Sequence, residues 1–197
     1  MTIIKLCGLT QQSDVEYAAE LGADICGFVF EPSSPRYVGE SEWSPEWLNE
    51  IPVEKAAVFG AALHRVSTAF SYMQAFAWPA SVEWHEPKIH VVRLGDPSSS
   101  QASAFTDESN SFVLLDAYHP VVHGGAGKTV DWNQAALLVA ASRRPVILAG
   151  GLTPDNVAEA IAKVKPFGVD VSSGIESEPG KKDRGKMKAF VEAVRQS

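Results

Sequence analysis

The chain has 197 residues, with 17 Lys+Arg against 24 Asp+Glu, a formal charge of −7 and a pI near 5.2. Nucleic acid and anionic membrane surfaces both reward net positive charge, so neither is expected as a main partner. Hydrophobic residues make up 45% and charged residues 21%, the composition of one ordinary globular domain, here expected to span 1–197.

The first β-rich run is Ile3–Leu6. A helix over Ser13–Leu21 follows, opened by Ser13-Asp14 and closed at Gly22. Ile25–Phe30 is the second run, followed by a helical segment at Pro45–Glu50, and Ala56–Phe59 is the third, followed by a longer helical segment around Arg65–Ala77. Ser81–Trp84 and His90–Leu94 are the fourth and fifth strand candidates. Pro97–Ser103 reads as a loop and the acidic stretch Thr106–Asn110 as the end of a helix. Phe112–Leu115, ending at Asp116, is the sixth strand, and Trp132–Ser142 is apolar at helical spacing. Val146–Ala149 stops at Gly150-Gly151, and Thr153-Pro154 starts a helix whose stripe is Val157, Ile161 and Val164. Val169–Ser172 is the eighth run, and Lys182–Arg195 the closing helix.

The longest apolar run, Ala135–Ala141, is far short of the ~18 residues that a membrane span needs. No basic-then-apolar leader opens the chain, and Cys7 and Cys26 form neither a CxxC pair nor a zinc-spaced cluster. A cytoplasmic protein with both thiols reduced is expected.

Strands separated mostly by helices pair in parallel through right-handed crossovers, and eight such units close into a (β/α)8 barrel. At about 25 residues per unit the chain is at the small end for that fold. An open doubly wound sheet would need fewer strands and a glycine-rich loop after the first. Only His85 to Ile89 lie between Trp84 and His90, Pro87 among them, whereas a helical crossover needs at least about 10–12 residues. The fourth helix is therefore expected to be missing or reduced to a turn, leaving apolar surface exposed there or covered by another chain.

In a (β/α)8 barrel the residues at the C-terminal ends of the strands face the mouth where chemistry occurs. That rule selects Cys7, Arg36, His85, Asp116, Gly150-Gly151 and Ser172-Ser173-Gly174. A cysteine packed as a small hydrophobe accounts for Cys7 at least as well as catalysis does on position alone. Lys5 shares its strand face and would favour a thiolate, although an ion pair with an inward acid such as Asp170 is the better reading of Lys5. Asp116 ends an apolar run, where desolvation raises a carboxyl towards general-acid use; Asp131 reads as a helix cap instead. Arg36 suits a carboxylate or phosphate bidentately, though a loop arginine is more commonly just solvated. His123–Thr129 is no P-loop, because Val122 stands where the first Gly belongs, and a dinucleotide pattern from Gly125 fails at Val130. The turns at Gly150-Gly151 and Ser172–Gly174 suit a phosphate held by backbone N–H groups.

These stretches together resemble the phosphoribosylanthranilate isomerase family of tryptophan biosynthesis over nearly the whole chain. The resemblance is carried by Lys5-Leu-Cys-Gly-Leu-Thr10, Gly22–Phe30, Ser34-Pro-Arg-Tyr-Val38, Leu114-Leu-Asp116, Gly124–Trp132, Leu148–Val157 and Val169–Glu176. It implies an Amadori rearrangement of N-(5-phosphoribosyl)anthranilate to 1-(2-carboxyphenylamino)-1-deoxyribulose 5-phosphate. It implies Asp116 as the acid that opens the furanose and Cys7 as the base that takes the C2 proton. Arg36 would hold the anthranilate carboxylate, His85 would line the pocket, and Gly150, Gly151, Ser173 and Gly174 would cradle the phosphate. No metal or organic cofactor is implied, the partner is a small sugar phosphate, and the chain is expected as a monomer or homodimer.

Two stretches depart from the family. Its strand-4 pattern Gln-Leu-His-Gly finds only His85 in Glu83-Trp-His-Glu86, and Ala57-Val-Phe-Gly-Ala61 lacks the usual Gly-Val-Phe-Val-Asn. A related sugar-phosphate isomerase of histidine biosynthesis, or a dual-substrate version, would carry Asp where Cys7 stands. A binding module that has lost activity is the rival of another class.

Overall fold

The structure is a computed structural model describing residues 1–39, 43–60, 63, 67–78, 85–95, 102–117 and 131–197. Eight parallel strands close into a (β/α)8 barrel in chain order. They are β1 (Ile3–Cys7), β2 (Ile25–Val29), β3 (Glu54–Val58), β4 (Tyr72–Ala75), β5 (Lys88–Leu94), β6 (Asn110–Ala117), β7 (Val146–Leu148) and β8 (Gly168–Val171). The seam is β1 against β8, with Lys5 opposite Asp170. A hairpin of β9 (Glu176–Glu178) and β10 (Lys181–Lys182) follows β8.

The period-two alternation of each strand sorts its side chains between two cores. One set fills the barrel: Ile25, Ala56, Ile89, Val91, Leu114, Ile147 and Ala149. The other, with Ile4, Leu6, Phe28, Val113 and Val169, packs outward against the helices. Those helices are α1 (Gln12–Glu20), α2 (Trp47–Glu50), α3 (Trp132–Ala141), α4 (Val157–Val164) and α5 (Arg184–Arg195). Asp131 caps α3 as expected, its Oδ1 accepting from Asn133 N at 2.9 Å. Asp183 caps α5 in the same way, and that helix buries Met187, Phe190, Val191 and Val194. None of the helices among the described residues is long and apolar enough to cross a membrane.

Strand 4 is where the sequence reading needs correction. The expected strand at Ser81–Trp84 lies outside the described residues. The barrel's β4 lies instead inside the segment around Arg65–Ala77 that was expected to be helical. Phe70, Met73 and Phe76 recur at helical spacing, and a short buried parallel strand has no polar alternation to separate it from a helix. The crossover from β4 to β5 therefore runs over 76–87, long enough for more than the turn expected after Trp84; its described parts, 76–78 and 85–87, are not helical. Nor does a helix appear in the described residues between β3 and β4. Aromatic side chains cover the barrel there: Phe28 lies 5.5 Å from Trp43 and 5.8 Å from Phe70, and Phe30 lies 5.5 Å from Phe59, centroid to centroid. The expected apolar exposure beside strand 4 is absent among the described residues, whose exposed large apolar side chains are Met1, Leu137 and Phe167. Ala102–Phe105 forms a 3-10 turn before β6. The glycine-rich His123–Thr129 lies outside the described residues.

Candidate active site

Cys7 ends β1 and Asp116 lies one residue from the end of β6. Both side chains line one cavity at the C-terminal mouth of the barrel, together with Arg36, Gln74, Asp170 and Ser172. The alternation explains the convergence. Asp116 continues the inward row of Phe112 and Leu114, Cys7 that of Ile3 and Lys5, and Ser172 that of Gly168 and Asp170.

Beneath the mouth, Lys5 is fully buried and its Nζ donates to Asp170 Oδ1 at 2.6 Å. This is the ion pair expected from the sequence. Burial alone would lower the Lys5 pKa, but Asp170 and the neighbouring Cys7 sulfur hold it above its ordinary value. For Cys7 the balance runs the other way. Burial raises its pKa above the ordinary thiol value, and the opposing pull of Lys5 and Lys182 does not overcome burial together with Asp170. The resting group is therefore the thiol. Cys26, on β2 and facing outward, is pushed up to about 12 by burial.

Arg36 is 8% exposed and so is not the solvated arginine that a loop more commonly carries. Its Nε and Nη2 donate to the two oxygens of Glu176, each at 2.7 Å. Glu176 also accepts from Lys182 Nζ at 2.7 Å, and Lys182 donates a second bond to the Ser172 carbonyl at 3.1 Å. Burial alone would raise the Glu176 pKa, but Arg36 and Lys182 hold it below the ordinary carboxylate value. Arg36 and Lys182 thus outnumber the one carboxylate they share, so this cluster carries one net positive charge in a protein of charge −7. Arg93 adds a further cation across the mouth, its guanidinium 3.6 Å from the Phe76 ring centroid and its residue opposite Asp116 in the β5–β6 register.

Gly8 makes the close approach of Arg36 possible: it holds φ of 73°, and a Cβ there would overlap Arg36 Cδ. The chain leaves β7 through Gly150 and Gly151, with φ of 86° and 66°. Ser173 and Gly174 open a 3-10 turn, Ser173–Ile175, after β8. A Cβ on Gly174 would overlap the Leu152 carbonyl oxygen, so the loops after β7 and β8 are in direct contact. The first N–H groups of a helical turn lack partners within it, which is the chemistry of an anion site.

His85 is not brought to this mouth. It is exposed and stands three positions before β5 begins at Lys88, at the N-terminal end of a parallel barrel. The assignment of His85 to the pocket is corrected: its selection followed from the misplaced fourth strand. With β4 at Tyr72–Ala75, the residues that this part of the wall brings to the cavity are Gln74 and Phe76. Gln74 thus went unnoticed in the sequence. Glu176 and Lys182 did too, because the partner Arg36 is 140 residues away from Glu176.

Fold and cavity define a (β/α)8 barrel of the kind whose strand ends carry the chemistry, with a thiol and a carboxyl facing one space. A family model described as N-(5'phosphoribosyl)anthranilate (PRA) isomerase matches residues 4–193, and the chain belongs to that family. It is 40% identical over 202 residues to the N-(5'-phosphoribosyl)anthranilate isomerase of Geobacter sp. (strain M21), covering 97% of each chain. Among solved structures it resembles phosphoribosyl anthranilate isomerase from Thermotoga maritima, with TM-score 0.82, 33% identity and full coverage of both chains. It also resembles a phosphoribosyl anthranilate isomerase in complex with reduced 1-(o-carboxyphenylamino)-1-deoxyribulose 5-phosphate, with TM-score 0.78, 30% identity and full coverage of both.

Proposed function

We propose that this chain isomerises N-(5'-phosphoribosyl)anthranilate to 1-(2-carboxyphenylamino)-1-deoxyribulose 5-phosphate in tryptophan biosynthesis. The observation that carries the reading is that Cys7 and Asp116, on strands three apart around the barrel wall, line one cavity. Asp116 as general acid gives its proton to the furanose ring oxygen, and the C1–O bond breaks to leave a Schiff base. Cys7 as general base removes the C2 proton, and the resulting enolamine tautomerises to the ketone. The raised pKa of Cys7 makes the thiolate scarce in the free protein and a stronger base once formed.

The substrate carries a carboxylate and a phosphate. Two of the five Arg36 donors are committed to Glu176; those on Nη1 and the second hydrogen of Nη2 serve the anthranilate carboxylate. Gly150, Gly151, Ser173 and Gly174 hold the phosphate through backbone N–H groups. Steady-state assay of the purified protein should show loss of the fluorescence of the anthranilate adduct. A folded protein without turnover would support the inactive binding module instead.

Replacing Arg36 by Met is expected to raise KM roughly tenfold or more while kcat changes by only a few-fold, since charge-assisted hydrogen bonds are lost without loss of the acid or base. Unchanged affinity for the reduced product analogue would remove Arg36 from the carboxylate role.

A further inference from the structure

Gln74 is 6% exposed and its Oε1 has no hydrogen-bond partner among the described residues. Its backbone is fixed. Gln74 pairs with Val58 on β3 and Ile89 on β5, and its carbonyl accepts from Phe59 N at 2.9 Å. Its side chain lines the cavity shared by Cys7 and Asp116, between the apolar walls of Val58 and Val91.

A carboxamide oxygen buried without a partner has lost its water and gained nothing in return. Leucine or methionine would fill the same space without that penalty, as apolar residues do at the neighbouring cavity positions. The penalty is removed if the cavity's occupant brings a donor to the oxygen. We infer that Gln74 is a ligand-binding and specificity-determining residue, whose Oε1 accepts a hydrogen bond from a hydroxyl group of a bound sugar phosphate. The inference rests on the functional reading above for the class of ligand. A site built around such a bond discriminates strongly against a ligand lacking the hydroxyl, because the protein oxygen is then left unpaired.

The test uses Gln74→Met, close in volume and without the oxygen. Calorimetry with reduced 1-(o-carboxyphenylamino)-1-deoxyribulose 5-phosphate should show Kd roughly tenfold higher than in the wild type. Among counterparts lacking single chain hydroxyls, one should bind both proteins equally. The ligand-free variant should melt no lower than the wild type, because an unsatisfied buried atom has been removed. Unchanged Kd for the parent compound would overturn the proposal, and so would a lower Tm, the signature of an internal partner. Gln74→Leu repeats the test should the methionine variant not fold; failure of both to fold also overturns it. If the wild type itself does not bind the analogue, it is the functional reading that fails, and the inference falls with it.

Discussion

Asp116→Asn and Cys7→Ser are each expected to lower kcat by about 10²–10⁴ with the barrel still folded, the usual loss when a general acid or base is removed. Asparagine keeps the size of Asp116 but has no acidic proton to transfer to a ring oxygen. Serine fits where Cys7 packs, but its hydroxyl is a far weaker acid than a thiol, so the basic form disappears. The electrostatics around Cys7 sharpen this. Lys5 and Lys182 already pull towards the anion and still lose to burial and Asp170, so a side chain harder to ionise than a thiol has no route to the basic form. Steady-state fluorescence assays measure the loss, and urea denaturation confirms that the variants fold. Wild-type kcat in either variant would remove that residue from its role.

The second large effect is structural. Asp170→Ala strips the buried Lys5 of its counter-charge at the seam between β1 and β8. Removing one partner of such a pair costs about 3–5 kcal/mol, because the remaining charge stays buried. Replacing both partners, as in Lys5→Met with Asp170→Leu, should recover much of that stability. Urea midpoints of the single and double variants make the comparison. A loss below about 1 kcal/mol for Asp170→Ala would mean that Lys5 finds another partner or sheds its proton.

Much of this was legible before the structure. Alternation on β1 put Lys5 and Cys7 on one face, and the same rule supplied Asp170 as the partner. Asp131 read as a cap because its neighbours begin a helix, and Asp116 stood out as a carboxyl ending an apolar run. These signals are local, or depend on one strand's period. Strand 4 was not legible: a four-residue run, Tyr72–Ala75, is too short for its period to be measured. That error put His85 at the mouth in place of Gln74 and Phe76. The engagement of Arg36 was hidden for another reason. Glu176 lies on the hairpin after β8, and nothing in the sequence around either residue reveals contact between distant loops.

The Lys5–Asp170 bond joins the first strand to the last, 165 residues apart. On the ribosome the lysine emerges early, and its partner follows on the order of ten seconds or more later at ordinary elongation rates. Until then the nascent amino-terminal strand has a charged residue and no place to bury it. Wrapping the cylinder shut is consequently impossible until β8 has been made, and the growing polypeptide stays unclosed until then.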